Sequence, residues 1–126
     1  MLKRPLVAIV DDDESTRETT KDLLESAGFA AGTFSSPARL LKSKRLTRVY
    51  CLISDMRMSG MTGLELHRHL AASNRKIPTI LVTAYPDERV RAQALKDNVV
   101  CCLAKPFAAE ELLDCVRRAR LSGDIA

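Results

Sequence analysis

The chain has 126 residues, 46% of them hydrophobic and 29% charged, with a formal net charge of +4. That length fits a single domain over residues 1–126, able to bury about two-thirds of its unfolded surface. No apolar stretch approaches the roughly 20 residues that span a bilayer. The basic start, Met1-Leu2-Lys3-Arg4-Pro5, leads into a strand and not into the apolar core of a signal peptide. Cys51, Cys101, Cys102 and Cys115 lie in hydrophobic or amphipathic segments with no Cys-x-x-Cys spacing, as expected of buried free thiols in a cytoplasmic protein. The cations are spread over three regions, with only three Phe and two Tyr to stack on bases. A solvated basic surface is therefore favoured over an acidic protein partner, and both over nucleic acid.

The apolar run 6–10 has the length and β-branched content of a buried strand. A helix from about Ser15 to Ala27 follows, with Leu23 and Leu24 on its apolar face and Gly28 just past its end. Residues 29–34 predict a short second strand. Ser36 and Pro37 then suit the N-cap and first position of a helix running to about Ser43, followed by a polar connection over 44–48. A third strand is expected at 49–54, and Gly60 and Gly63 predict tight backbone in the loop after it. Leu64, Leu66 and Leu70 give residues 64–73 a helical spacing. A fourth strand runs from Pro78 to Thr83, a helix from 86 to 97 and a fifth strand from 99 to 103. The last helix covers about 108–121, with acids in its first turn and arginines in its last. Regular alternation of strand and helix predicts an α/β fold, a parallel sheet with helices on both faces.

Four of the apolar runs end in reactive polar residues: Asp11-Asp12-Asp13, Asp55, Thr83-Ala84 and Lys105-Pro106. In a parallel sheet these strand ends share one edge, where ligands of open α/β sheets bind. An aspartate there can be a nucleophile toward phosphorus, giving an acyl phosphate. The chemistry needs a divalent cation, a fixed positive charge and a hydrogen-bond donor for the phosphoryl oxygens. Asp11 and Asp12 supply charge for Mg²⁺, Asp55 the nucleophile, Lys105 the cation and Thr83 the hydroxyl. Taken singly, each has an ordinary reading, and Asp13 fits a solvated helix start. Their joint order at the ends of separate strands is what carries the inference. The isomer of the Lys105-Pro106 bond stays open.

The stretches Ile9-Val10-Asp11-Asp12, residues 55–66 from Asp55 to Leu66, Thr83-Ala84 and Lys105-Pro106-Phe107, together with Arg17, resemble the receiver domains of response regulators in bacterial two-component signalling. The resemblance covers nearly the whole chain. It implies a flavodoxin-like, three-layer doubly wound fold with five parallel strands in the order 2-1-3-4-5. It further implies that Asp55 is the phosphoacceptor and that Asp12, Asp55 and the backbone carbonyl of Arg57 ligate Mg²⁺ directly. Asp11 would act through water, and Thr83 and Lys105 would contact the phosphoryl group. The donor would be a phosphohistidine on a sensor histidine kinase or phosphotransfer protein. The face of helix 4, strand 5 and helix 5 would meet a downstream target, an output domain beyond this chain, or a second copy.

The sequence departs from the family pattern at four places. Ser59 replaces a loop proline, Asn98-Val99 replaces Gly-Ala, and Cys101 replaces an acid. Cys102 stands where the family has a Tyr or Phe that moves with the threonine on phosphorylation. The pocket near Thr83 is therefore expected to be partly open, or filled by a neighbour such as Tyr85. Two other readings stand beside the favoured one. A phosphohydrolase would need a second acid two residues after its nucleophile, and that position is Arg57. A receiver-like module binding partners without phosphorylation would not need the acidic pair, Asp55, Thr83 and Lys105. No Gly-x-Gly-x-x-Gly follows the first strand, which disfavours dinucleotide binding.

Overall fold

A computed structural model describes residues 5–125, so the reading of Met1–Arg4 as a strand lead-in lies outside the described residues. The elements run β1 (Leu6–Val10), α1 (Glu14–Ser26), β2 (Ala31–Phe34), α2 (Pro37–Leu41), a 3₁₀ helix (Lys44–Arg48), β3 (Val49–Asp55), α3 (Gly63–Ala72), β4 (Thr79–Thr83), α4 (Glu88–Lys96), β5 (Cys101–Ala104) and α5 (Ala109–Ile125). The strands form one sheet in the order β2-β1-β3-β4-β5, and every pairing is parallel.

Both sheet faces are covered, which is why β1 is an unbroken apolar run with all five residues buried. Alternation along each strand sends side chains to opposite faces. Val7 and Ile9 pack with Leu24, Leu112 and Val116 from α1 and α5. Leu6, Ala8 and Val10 pack with Leu40, Leu66 and Leu70 from α2 and α3. A smaller group, Leu64, Leu81, Ala94 and Val99, seats α4. All four cysteines are free thiols; Cys51, Cys101 and Cys115 are buried. Burial pushes the Cys51 thiol up, and burial with the neighbouring Cys101 pushes Cys115 up to about 12.

Local hydrogen bonding accounts for the boundaries that differ from expectation. α4 begins at Glu88, two residues after Pro86, because the Asp87 carboxylate accepts from the Arg89 amide at 2.8 Å and caps it. β2 begins at Ala31, because the Phe29 amide turns back to the Leu24 carbonyl (3.0 Å) and closes α1. β5 begins at Cys101, because Asn98 adopts a left-handed φ of 64° and the Val99 amide bonds back to Ala94 (3.0 Å). The segment 44–48, expected as a polar connection, is a 3₁₀ helix that buries Leu46 among the α2 and α3 side chains. Ser36 caps α2 with Pro37 at its start, as its sequence indicates.

His67 carries a structural link with no periodicity to announce it. Its Nε2 donates to the Asp97 carbonyl at 2.7 Å, and its Nδ1 lies 2.7 Å from the Thr79 hydroxyl. The ring thus ties α3 to β4 and to the end of α4. Replacing it removes both bonds and leaves the part-buried Asp97 carbonyl without its donor, while Thr79 keeps its bond to the Ile77 carbonyl at 3.0 Å. His67→Leu is expected to lower unfolding free energy by about 1–3 kcal/mol, read from the urea midpoint. An unchanged midpoint would contradict this.

Candidate functional site

Strand register assembles the site. Val10 pairs with Ser54, Asp55 with Val82, and Thr83 with Ala104. Asp11, Asp55, Thr83 and Lys105 therefore sit at or one residue beyond neighbouring positions on the carboxyl edge of the sheet. Asp12 continues from Asp11. Asp13 leaves the site and caps α1, accepting from the Thr16 amide at 3.1 Å and from the Thr16 hydroxyl. That capping also holds its carboxyl below the usual range.

Asp11, Asp12 and Asp55 each offer a carboxylate oxygen, and these lie within 4.8 Å of one another. Asp11 is buried; its Oδ1 accepts from the Asp13 amide at 2.9 Å, and its backbone carbonyl accepts from Arg17 Nη1 at 2.8 Å. Lys105 Nζ lies 3.4 Å from Asp11 Oδ2 and 3.4 Å from Asp55 Oδ2. Three carboxylates thus face one ammonium. Burial raises the Asp55 pKa above the ordinary carboxylate value; Asp11 adds to that, while Lys105 and the Arg57 amide oppose it. Burial acts against the charged form of Lys105, but Asp11 and Asp55 outweigh it and hold the ammonium above the usual lysine range. An all-oxygen set with surplus negative charge fits a hard divalent cation.

The loop from Met56 to Thr62 turns sharply and brings the start of α3 close against β3. Gly60 has a φ of +88°. At Gly63, a Cβ would meet the Asp55 carbonyl oxygen at 2.5 Å and Leu81 Cδ2 at 2.8 Å, so a side chain there would push β3 and α3 apart. Thr62 and Glu65 form a reciprocal cap on α3, with bonds of 3.1 and 2.8 Å. The end of β3 that carries Asp55 is thereby fixed against the start of α3.

On the far side, Thr83 Oγ1 accepts from the Tyr85 amide at 3.0 Å. Tyr85 points outward, 66% exposed, with the Arg57 guanidinium stacked 4.7 Å from its ring centroid. Cys102 is half-buried and lines a cavity of about 210 Å³ with Thr83, Met56, Leu81 and Tyr85. Of the two expectations for this pocket, the structure has the partly open one. The Arg57–Tyr85 stack was not legible in the sequence, because it joins two loops across the sheet edge. The Lys105-Pro106 peptide is cis.

A family model described as the response regulator receiver domain matches residues 7–117. The C4-dicarboxylate transport transcriptional regulatory protein DctD of Rhizobium meliloti is 39% identical over 119 residues, covering 94% of this chain and 26% of that protein. Nodulation protein W of Bradyrhizobium diazoefficiens is 35% identical over 113 residues, covering 90% of this chain and 50% of that protein. The chain thus spans half or less of these curated relatives. Among solved structures, FixJ-N is 31% identical with a TM-score of 0.82, covering 94% of each chain. A response regulator receiver protein from Pseudomonas putida is also 31% identical with a TM-score of 0.82, covering 94% of this chain and 99% of that one. With the matched region reaching from β1 into α5 and these relatives in agreement, the chain belongs to the receiver domains of two-component response regulators.

Proposed function

We propose that this domain takes a phosphoryl group onto Asp55 from a phosphohistidine of a sensor histidine kinase or phosphotransfer protein, and that the modification resets a protein-binding face. The convergence of Asp11, Asp12 and Asp55 within 4.8 Å, with Lys105 3.4 Å from two of them, supports this reading. An Asp55 carboxylate oxygen attacks phosphorus in line. The bond from phosphorus to the histidine nitrogen breaks, and its electron pair leaves with the imidazole. Lys105 stays beside Asp55 and compensates charge on the phosphoryl oxygens, and the Thr83 hydroxyl donates to one of them.

Mg²⁺ is the proposed cation, held by Asp12, Asp55 and the Arg57 backbone carbonyl, with Asp11 through water. When bound it screens the carboxylates from the incoming phosphoryl oxygens. The chain catalyses only its own phosphorylation and dephosphorylation. Position 57 offers a guanidinium instead of a second acid, so it does not act as a phosphohydrolase.

Thr83 is bonded to the Tyr85 amide before α4, so drawing its hydroxyl toward a phosphoryl oxygen breaks that bond and moves the loop. The α4–β5–α5 face is the proposed surface for an output partner or a second copy; Leu95 of α4 and Leu121 of α5 are exposed, as is Tyr85 in the loop before α4. Nucleic-acid contact belongs to an output domain, in keeping with relatives named as transcriptional regulators. No helix among the described residues is long and apolar enough to cross a membrane. The proposed location is the cytoplasm, where the kinase domain resides.

The test is labelling with acetyl phosphate in Mg²⁺. One acid-labile phosphoryl group is expected in the parent and none in Asp55→Asn. Undiminished labelling of that variant overturns the assignment.

Cys102 gives a further expected result. Cys102 lines the cavity of about 210 Å³ beside Thr83, and a larger side chain at position 102 would extend into it. Cys102→Tyr is expected to leave Asp55 phosphorylation within about threefold of the parent, because position 102 does not touch the carboxylates, and to shift partner affinity by about 1 kcal/mol or more. Labelling rate and partner binding, measured separately, decide it. A partner response identical to the parent would remove position 102 from the switch.

A further inference from the structure

The carboxyl end of β2 carries a second polar cluster that the Asp55 chemistry does not use. Arg17, Arg39 and Arg45 line one cavity of about 360 Å³, together with the hydroxyl residues Thr33, Ser35 and Ser43. Among the described residues, none of these guanidinia has a carboxylate partner. Two of them are nonetheless held in place. Arg17 donates to the Asp11 carbonyl at 2.8 Å, and Arg45 lies over the Phe34 ring at 4.7 Å from its centroid. Gly32 leaves room for Arg45, since a Cβ there would come within 2.8 Å of its Nη1. These contacts fix position; the Asp13 carboxylate attracts Arg17 from beyond ion-pair distance, and Arg39 and Arg45 have no carboxylate within that distance among the described residues.

Like charges around one small polar cavity repel, and a bound anion relieves the repulsion. The planar guanidinium fork matches the oxygens of a phosphate, and the hydroxyls add donors. A carboxylate carries one negative charge on two coplanar oxygens, a poorer match for three guanidinia than a dianion with oxygens spread in three directions. A phosphate monoester presents three charged oxygens on one atom. We propose that this cavity binds a phosphate monoester dianion, at a site separate from Asp55.

The test is an NMR titration of the ¹⁵N-labelled protein without Mg²⁺, at ionic strength matched with sodium chloride. Inorganic phosphate and glycerol 3-phosphate are titrated in parallel. Both are expected to give saturable shifts of the Thr33, Ser35 and Ser43 amides. Arg39→Gln is expected to weaken both by roughly tenfold, the loss of one charge-assisted hydrogen bond. Arg39 is exposed and its replacement leaves the Arg45–Phe34 stack intact, so the fold and the labelling of Asp55 are expected to be unchanged. Arg45→Gln is expected to weaken binding similarly and Arg45→Lys to restore part of it. Saturation by inorganic phosphate alone overturns the ester assignment. Shifts that never saturate, or that are unaltered in both glutamine variants, overturn the site.

Discussion

Lys105→Met is expected to slow phosphorylation of Asp55 by about 10²-fold, with the melting temperature lowered as well. The two effects have one origin. Lys105 is the only cation within ion-pair distance of Asp11 and Asp55 among the described residues, at 3.4 Å from each. Removing a preorganised charge from a phosphoryl-transfer site removes stabilisation present mainly in the transition state, which is worth two to three orders of magnitude in typical cases. Methionine keeps the length and apolar stem of the side chain, so the pocket walls stay in place. The stability loss is about 1–2 kcal/mol, less than for a fully buried pair because the Lys105 side chain is 26% exposed. Its pH dependence has a definite sign. The folded-state pKa of Lys105 is raised, so its contribution is fully present below the unfolded lysine pKa and is lost as pH rises through the folded value. Parent and variant should therefore converge in stability at strongly alkaline pH, and the gap should also narrow in acid as the Asp55 partner takes up its proton. Labelling rates with acetyl phosphate and melting curves across pH check both parts. A variant that phosphorylates at the parental rate would contradict the role given to this residue.

Mg²⁺ is expected to raise the melting temperature by several degrees at tenfold excess over its dissociation constant, equivalent to about 1.4 kcal/mol. Asp12→Ala is expected to lose most of that shift. The carboxylate cluster also predicts a gain from neutralising one member. The Asp55 pKa is raised in the folded state, so the native protein keeps a proton there that the unfolded chain has already released. Stability from this group is thus highest below the unfolded carboxylate pKa and declines as pH rises through the folded value. Above that window, ionised Asp55 opposes folding. Asp55→Asn without metal is therefore expected to melt higher than the parent at pH 7, and to lose that advantage under acidic conditions. Melting curves of parent, Asp12→Ala and Asp55→Asn, with and without Mg²⁺ at both pH values, test the set. An Mg²⁺ shift preserved in Asp12→Ala would contradict the metal assignment.

The parallel sheet was legible because the central strands β1, β3 and β4 are short apolar runs bounded by turn chemistry, and a strand buried on both faces has to read that way. The site was legible for the same reason, since Asp11, Asp55, Thr83 and Lys105 follow such runs directly. Boundaries set by a single competing hydrogen bond were not. Pro86 read as a helix start, but the Asp87 carboxylate captures the Arg89 amide and begins α4 later. Val99 and Val100 read as strand, but the positive φ of Asn98 holds the chain in a turn until Cys101. Leu46 was a lone apolar residue in a basic stretch, with no period to mark it as core. The Arg57–Tyr85 stack and the two bonds of His67 join residues far apart in sequence, and no local pattern encodes them. The departure at Cys102 was legible as a missing ring, and the cavity at that place is its structural counterpart.

Asp55 as the phosphoacceptor is tested most directly by mapping the modified carboxylate. The protein is phosphorylated with acetyl phosphate in Mg²⁺ and treated at once with borohydride, which reduces an aspartyl phosphate to homoserine. Peptide mass spectrometry then locates the homoserine. It is expected at position 55 and nowhere else; homoserine at position 11, 12 or 13, or at no position, would contradict the account.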